Sequence, residues 1–418
     1  MVTGDQFELL ARGWLMVQEG TWIHYGSPTS TGGFNPGSLT SLLVAVPLYV
    51  VMDHRAPIVL IVILHIVAFL ILDRTMSEAL SPRARLLFAV LYWLNPGRVY
   101  FSGFLWNPNY LPVLGALHLF TAWRQRDEPS AAFSFLHVLA AGLAFQIHAS
   151  FLLLIAATVA LVMGRMFRLH IGGALAGAAA SAVLLTPWIL AVAEDPSILP
   201  GSSGFLGRGL VLVYPVLRGI LYWLRYGSLD VSSKLLDFDF SLAVGAAGDR
   251  VLTPIMIVIA RAAGVITTLV ALVANIRLWG GRGTASDAEA HVWIARYARR
   301  CFVAALVVYA LSPTTVMYWQ GVLLLHAAVI PVALFVDGQM SSRPGAVRLA
   351  IPAWCFLAAI LVAAMAFGSN QFRCNGRESI NGGRRNDHPM LHQLGVHRDC
   401  RVEIYPSADP LPSVLDLR

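Results

Sequence analysis

Residues 57–72 read PIVLIVILHIVAFLIL, an apolar run that contains one ionisable side chain, His65. Because its apolar residues are continuous rather than alternating, the run favours a membrane helix over a strand of a membrane barrel. Similar runs recur along nearly the whole chain, and 57% of its residues are hydrophobic while 13% are charged. A soluble globular protein needs far more surface polarity. The sequence therefore predicts an all-α polytopic membrane protein.

The apolar runs predict about ten membrane spans. They lie near 57–72, 86–101, 110–123, 133–147, 149–163, 171–193, 251–276, 301–312, 320–336 and 349–367. Several runs are shorter than the roughly 20 residues of a membrane helix, so we expect their ends to extend into the flanking loops.

Arginines in the loops between the spans predict the orientation. Basic residues in short loops hold these loops on the cytoplasmic side. The five loops with the densest basic residues carry Arg74, Arg83 and Arg85; Arg124 and Arg126; Arg165 and Arg168; Arg277, Arg282, Arg296, Arg299 and Arg300; and Arg343 and Arg348. The basic residues behind the +7 net charge are almost all arginines scattered among the loops, where they determine topology. We therefore expect no nucleic-acid partner.

Spans and loops divide the chain into five regions. These are an external segment with interfacial helices, 1–56; N-terminal membrane helices, 57–193; an external loop with an amphipathic helix, 194–250; C-terminal membrane helices, 251–367; and an external polar tail, 368–418. Cys374 and Cys400 of the tail can pair in an oxidising compartment, and a disordered tail is the alternative.

Two stretches allow more than one interpretation. Leu39–Met52 is short and contains Pro47, which favours a helix in the outer interface, whereas a crossing helix would invert every later loop. Residues 204–228, GFLGRGLVLVYPVLRGILYWLRYGS, mix Arg218 and Arg225 with aromatic and aliphatic residues. That mixture suits a helix that faces anionic lipid headgroups, and an ordinary interfacial connector fits equally well.

Motifs for nucleotide binding and hydrolysis are missing from the sequence, including a P-loop, a Gly-x-Ser-x-Gly elbow and a His-Glu-x-x-His helix. Polar groups on the predicted outer side remain: Asp5, Glu8, Arg12, Glu19, His24, Arg98, Asn107, Asn109, His148 and Gln320. A carboxylate there can act as a general base for an acceptor hydroxyl or amine, and arginines can hold the phosphate of a lipid-linked donor.

Two spacings carry further predictions. Glu8 and Arg12 are four residues apart, so on a helix they predict an ion pair. His326 lies inside an apolar run, where a polar side chain commonly marks a cavity or an interhelical hydrogen bond.

The order of these features resembles that of the GT-C membrane glycosyltransferases, in particular the protein O-mannosyltransferase and aminoarabinose-transferase-like superfamily. The resemblance rests on GDQFELLARGWLMVQEG (4–20), FNPGSLTSLLVAVPLYV (34–50) and LYWLNPGRVYFSGFLWNPNYLP (91–112). In that family an acidic residue opens the first external segment, and interfacial helices precede the next span. The resemblance implies a GT-C-like bundle of about ten transmembrane helices with external juxtamembrane helices.

By this resemblance Asp5 is the expected catalytic base, which deprotonates or orients the acceptor while a sugar leaves its polyprenyl-phosphate carrier. The candidates for donor and substrate binding are Gln6, Arg12, His24, Arg98, Asn107, Asn109, Arg218 and Arg225. The expected partners are a polyprenyl-phosphate-sugar donor, a lipid, glycan or protein acceptor on the outer face, and membrane lipids. The sequence predicts no metal ligands and no certain cofactor, and it leaves a divalent metal requirement undetermined.

Two departures from the family pattern keep other functions open. Gln6 replaces the second acid of the family's Asp-Glu pair, and Asn107 and Asn109 stand where an Asp is usual. An Asn can hydrogen-bond a sugar but cannot act as a base. The alternatives are a non-catalytic or transport protein for a lipid-linked saccharide, and a glycan polymerase or ligase. Because the family's first span precedes the acidic residue, the resemblance also implies a hydrophobic span upstream of Met1.

Overall fold

The structure is a computed structural model that describes residues 4–29, 33–199, 213–231, 236, 238–280, 289–312, 316–342, 344–368, 390 and 393–394. Its α-helices are α1 Gly4–Gln18, α2 Leu39–Val50, α3 Arg55–Ala79, α4 Pro82–Trp93, α5 Pro96–Ser102, α6 Pro112–Arg124, α7 Ala131–Ile147, α8 Phe151–Met163, α9 Ile171–Glu194, α10 Val213–Tyr226, α11 Ser241–Trp279, α12 Glu289–Ala310, α13 Leu325–Ser342 and α14 Pro344–Gly368. Short 3-10 helices lie at Asn107–Tyr110, Pro196–Ile198 and Tyr318–Leu324. The predicted pairing of Cys374 with Cys400 lies outside the described residues.

Five of the described helices are long and apolar enough to cross a membrane. They are Arg55–Ala79, Ile171–Glu194, Ala243–Trp279, Tyr318–Ser342 and Leu349–Phe367. The apolar window of the fourth is 83% buried, whereas that of α9 is 11% buried, so α13 lies at the centre of the bundle and α9 at its rim. The all-α polytopic fold class is confirmed, and the number of about ten spans stays a prediction because several apolar helices are shorter.

The run predicted as one span at 86–101 is two helices. Proline has no N–H to donate and restricts the residue before it, so α4 ends at Trp93 and α5 begins at Pro96. Asn95 caps the new helix by accepting a hydrogen bond from the backbone N–H of Arg98 at 3.0 Å. The prediction of one continuous span is therefore wrong.

The α7–α9 pair packs through glycines. A Cβ atom on Gly173 would collide with the carbonyl oxygen of Ala131, and one on Gly177 would lie 2.6 Å from the carbonyl oxygen of Phe135. Small residues four positions apart allow helix backbones to approach closely inside a membrane, where the hydrophobic effect gives little association energy. This contact holds α9 on the bundle although most of its other side chains are exposed.

A hydrogen-bonded group of histidines lies inside the bundle. His118 Nδ1 lies 3.1 Å from the hydroxyl of Tyr297, and His118 Nε2 lies 3.1 Å from Thr158 Oγ1. The same Thr158 hydroxyl lies 2.9 Å from His137 Nε2, and the Tyr297 hydroxyl lies 3.2 Å from His326 Nε2. These contacts join α6, α7, α8, α12 and α13, so the predicted interhelical hydrogen bond of His326 is confirmed.

Helix α2 packs against α1. A Cβ on Gly13 would lie 2.5 Å from Val44 Cγ1, so the two helices touch closely. The 12 residues of α2 rise about 18 Å, short of the roughly 30 Å hydrocarbon core of a bilayer. Its Val46 and Tyr49 side chains are exposed. These features suit the predicted interfacial position of α2, which stays a prediction.

Candidate functional site

The exposed carboxylate of Asp5 lies in the first turn of α1. Trp106 Nε1 donates a hydrogen bond to Asp5 Oδ2 at 3.1 Å. A carboxylate is favoured in the first turn of a helix because the backbone N–H groups there are unpaired. Within the described chain the other carboxylate oxygen has no hydrogen bond, so it is open to a molecule from solvent.

Aromatic packing orients the Trp106 indole. Its ring stacks at 6.5 Å from the ring of Phe101 and at 5.8 Å from that of Phe104. Trp319 of the 3-10 helix Tyr318–Leu324 approaches it edge-on at 5.1 Å. Because rings on several sides hold the indole, its N–H group points at Asp5 without needing a ligand to order it.

Arg218 reaches the same 3-10 helix from α10. Its Nη2 atom donates to the Tyr222 hydroxyl at 2.6 Å and lies 3.5 Å from the sulfur of Met317, while Nη1 lies 3.3 Å from the Tyr214 hydroxyl. The hydrogen bond to Tyr222 raises the pKa of Arg218. No carboxylate of the described chain pairs with this half-buried guanidinium. Arg218 therefore presents a positive charge next to Met317, the residue that precedes the 3-10 helix carrying Trp319.

Arg225 lies seven residues after Arg218, about two turns further along α10. It has a different partner. It forms an ion pair with Asp230, and the two side chains are 16% and 18% exposed. Its guanidinium lies 5.1 Å from the centre of the Tyr318 ring. Asp230 neutralises Arg225, which leaves less attraction for a phosphate than Arg218 offers.

Arg12 is buried, with 2% of its surface exposed. It donates a hydrogen bond to the Gly26 carbonyl oxygen, and its guanidinium lies 5.3 Å and 5.0 Å from the ring centres of Tyr25 and Phe34. Burial lowers the pKa of Arg12, and the charge of Glu8 partly offsets this. The predicted ion pair with Glu8 does not form as a direct contact, because the guanidinium turns toward the loop before α2, and Glu8 acts on it only through its charge.

The two asparagines of the WNPNY loop are also buried. Asn107 Nδ2 donates to the Ser27 hydroxyl. Asn109 Nδ2 donates to the Phe104 carbonyl oxygen at 2.6 Å, and the Asn109 carbonyl oxygen lies 3.0 Å from His65 Nε2. The Asn107 side chain thus joins two loops, and the Asn109 side chain fixes its own loop, whose backbone contacts His65 of α3. Their Oδ1 atoms are buried and accept no hydrogen bond from the described residues.

The other three predicted site residues lie apart from the Trp106 hydrogen bond. Gln6 is buried. His24 is half-buried, and its Nδ1 atom has no hydrogen-bond partner in the part of the chain that the structure describes. Arg98 is buried, donates from Nε to the Trp93 carbonyl oxygen at 3.0 Å, and stacks 4.2 Å from the centre of that indole ring. The structure thus places Asp5 against Trp106 and Arg218 against Tyr222 and Met317, and it uses Arg12, Arg98, Asn107 and Asn109 in packing.

Sequence reasoning missed the aromatic residues around Asp5 and Arg218. The sequence offered Trp106 as a candidate hydrogen-bond donor, because an indole in an interfacial loop commonly packs through its ring and donates a hydrogen bond from its N–H. Trp319 and Tyr222 gave no such signal, since they stand far from Asp5 in the chain. Among the described residues, no group of three or more His, Cys, Asp or Glu side chains is arranged to hold a metal ion. A metal requirement stays undetermined.

No protein-family model matches the chain, and no curated protein matches it. Among solved structures, ArnT from Cupriavidus metallidurans bound to undecaprenyl phosphate is similar, with a TM-score of 0.53 and 13% sequence identity. The match covers 84% of this chain and 59% of ArnT, so the chain spans about three fifths of the length of that protein. At this identity the likeness is one of fold. The chain has an ArnT-like GT-C fold, as the sequence resemblance implied.

Proposed function

We propose that this protein is a glycosyltransferase that moves a sugar from a polyprenyl-phosphate-linked donor to a lipid, glycan or protein acceptor on the outer face of the membrane. The exposed Asp5 carboxylate, held by the Trp106 indole, is the observation that carries the proposal. Arg218 of α10 adds a cation that has no acidic partner in the described chain. The ArnT-like fold supports it, because the solved ArnT structure contains undecaprenyl phosphate.

Asp5 acts as the acceptor-side base. The acceptor hydroxyl or amine gives its proton to the open carboxylate oxygen and attacks the anomeric carbon of the sugar. The bond between that carbon and the phosphate oxygen breaks, and polyprenyl phosphate leaves with the bonding electrons. A positioned base of this kind typically contributes about 10²–10⁴-fold to a rate.

Arg218 holds the phosphate of the donor. Its guanidinium is half-buried on α10, is oriented by the Tyr222 and Tyr214 hydroxyls, and has no acidic partner in the described chain. A guanidinium makes charge-assisted hydrogen bonds to phosphate oxygens, and these become stronger as negative charge develops on the leaving group. Arg218 is therefore the arginine that we assign to donor binding.

Sugar transfer in proteoliposomes tests the role of Asp5. Asp5→Asn keeps the size of the side chain and its ability to accept from Trp106 but removes the base, so we expect turnover with a defined polyprenyl-phosphate sugar to fall about 10²–10⁴-fold. Glu8→Gln, on the same helix, is the matched control and should change turnover less than twofold. Unchanged turnover of Asp5→Asn would remove Asp5 from the mechanism.

Binding or transport of a lipid-linked saccharide without transfer is the second candidate. It is favoured by Asn107 and Asn109, which stand where the family has an acid and are turned into the protein, and by the buried Gln6. Donor binding by the wild-type protein, with no product from any acceptor class tested, would favour this candidate over the enzyme.

We further propose that Asp5 faces the outside of a cell membrane that the chain crosses several times. The arginine distribution of the loops supports this orientation. In a cysteine-free background, a membrane-impermeant thiol reagent should label Glu19→Cys in intact cells and should label Asp127→Cys only after lysis. The reverse pattern would invert the topology.

A further inference from the structure

A cavity of about 370 Å³ opens between the end of α8, the end of α11 and the middle of α12. Its lining includes three arginines, Arg296, Arg299 and Arg300, together with Trp279 and Gly164. Its volume is that of a small-ligand pocket, which typically measures about 300–1,000 Å³. Neither the fold likeness nor the proposed transfer reaction assigns a role to it.

This cavity lies at the opposite end of the bundle from Asp5. Met166, which also lines it, accepts a hydrogen bond from Trp293 Nε1 at 2.9 Å. Trp293 packs edge-on, with ring centres 5.2 Å apart, against Trp123 in the last turn of α6. The first turn of α6 follows the loop that contains Trp106. Since the 13 residues of α6 rise about 20 Å, the cavity and the Trp106 loop lie at opposite ends of α6. The arginine pattern of the sequence predicts that the loops around the cavity are cytoplasmic.

The three arginines of the cavity lack counter-charges. No hydrogen bond or ion pair joins any of them to the described chain; Arg299 stacks near Trp279, with its guanidinium 5.9 Å from the ring centre. Other arginines in the loops predicted to share this face do have acidic partners. The pairs are Arg83 with Asp337, Arg85 with Asp73, and Arg74 and Arg124 with Glu78. Three positive charges around one cavity repel one another, and an anion between them would offset this repulsion.

Exposed apolar side chains lie on α11 and α12 within two helical turns of residues that line the cavity. Val303 and Val307 of α12 and Val273 and Ile276 of α11 are each more than a third exposed. Trp279 is 47% exposed, and tryptophan concentrates at the level of lipid headgroups because its ring is amphipathic. The arginines therefore lie close to exposed apolar side chains, as expected of a site at the level of lipid headgroups.

We propose that this cavity binds a phosphate group, supplied by the headgroup of an anionic lipid at the membrane face opposite Asp5. Guanidinium groups match phosphate oxygens in geometry and charge, and basic pockets between membrane helices hold acidic lipid headgroups. The absence of a side chain at Gly164 provides room for Arg300, because a Cβ there would lie 3.0 Å from Arg300 Nε. A free phosphate has the same chemistry, so the test separates the two sources.

Native mass spectrometry of the full-length protein in a neutral detergent measures the binding. Short-chain phosphatidylglycerol, short-chain phosphatidylcholine and inorganic phosphate are titrated separately. We expect phosphatidylglycerol to bind more tightly than phosphatidylcholine, whose choline group opposes the arginines. Each of Arg296→Gln, Arg299→Gln and Arg300→Gln should weaken phosphatidylglycerol binding about fivefold, and the triple variant about a hundredfold.

Arg168→Gln is the control, because Arg168 is exposed, lies in a loop predicted to share this face, and is absent from the cavity lining. Failure of inorganic phosphate to displace the lipid would identify the headgroup as the source, and full displacement would identify free phosphate. Equal phosphatidylglycerol affinity in the wild type and the three single variants would overturn the proposal, and the single variants decide this even if the triple variant does not fold. Equal affinity for the two lipids would overturn it as well.

Discussion

Arg12 on α1 and Arg218 on α10 have the same charge and are both candidates for donor binding on sequence grounds, but their surroundings differ. Arg12 is 2% exposed, lies between the Tyr25 and Phe34 rings and donates to a backbone carbonyl oxygen. Arg218 is half-buried, and its partners are two tyrosine hydroxyls and a methionine sulfur. Arg12 would have to leave its packing to reach a lipid-linked phosphate, whereas Arg218 already faces outward.

The comparison teaches that one charged side chain can hold a fold together or hold a ligand, and that its partners decide which. Burial of a guanidinium costs free energy unless hydrogen bonds and aromatic faces compensate. A buried arginine therefore uses its donors and its charge on its protein neighbours and has little left for a ligand. An arginine at the rim keeps hydrogen-bonding capacity for a second molecule. Variants at both sites should therefore separate loss of stability from loss of donor affinity.

Arg12→Ala should give the largest effect, on stability. It removes a large buried side chain and leaves the Gly26 carbonyl oxygen and two aromatic rings without their partner, so we expect a loss of about 3 kcal/mol and a lower Tm in detergent. Arg55→Ala, at an exposed position, should leave the Tm nearly unchanged. A stable Arg12→Ala protein with weakened donor binding would break the comparison, because Arg12 would then belong to the donor site.

Arg218→Gln should weaken donor binding without destabilising the fold. Loss of one charge-assisted phosphate contact is expected to raise the donor KM about tenfold and, because this contact strengthens as the phosphate leaves, to lower kcat as well, while the Tm changes little. Arg218→Lys should recover part of the affinity, since an ammonium keeps the charge but not the forked geometry. A donor KM equal to that of the wild type in both variants would contradict the assignment.

Trp106→Phe tests whether the indole N–H supports Asp5 as the base. The change keeps an aromatic ring among Phe101, Phe104 and Trp319 but removes the N–H that donates to Asp5, so kcat should fall about fivefold, equivalent to about 1 kcal/mol. In an Asp5→Asn background the same change should have little further effect. A drop of the same size in both backgrounds would show that Trp106 acts through packing alone.

The ion pair of Arg225 with Asp230 should give the smallest effect. A double-mutant cycle with Arg225→Gln and Asp230→Asn is expected to give a coupling energy of about 0.5–1 kcal/mol in unfolding experiments, because both groups retain some solvent contact. The donor KM should change less than twofold in Arg225→Gln. A tenfold change would place Arg225 beside Arg218 in the donor site and blur the distinction between paired and unpaired arginines.

Much of the fold was predictable from local sequence. The continuous apolar runs gave the helical membrane class, and the Asn95-Pro96 pair, read as part of a span, contained the cap and the proline that divide it. The site was predictable only in part. Asp5 was identified from its segment and its resemblance to a family, but its contact with Trp106 crosses 101 positions in the chain.

The hydrophobicity and charge of a segment decide whether it prefers lipid or water, and this preference does not depend on the other segments. The sequence alone is therefore enough to predict that the apolar runs enter a bilayer and which loops carry the charge. The partners of a particular side chain depend on which helices meet, and no local pattern contains that information. Arg12 and Arg218 illustrate this limit, since both stand in helices with apolar and aromatic neighbours. The packing of the helices buries Arg12 between Tyr25 and Phe34 and leaves Arg218 half-buried beside Tyr222. This difference in solvent access determines what each guanidinium can bind.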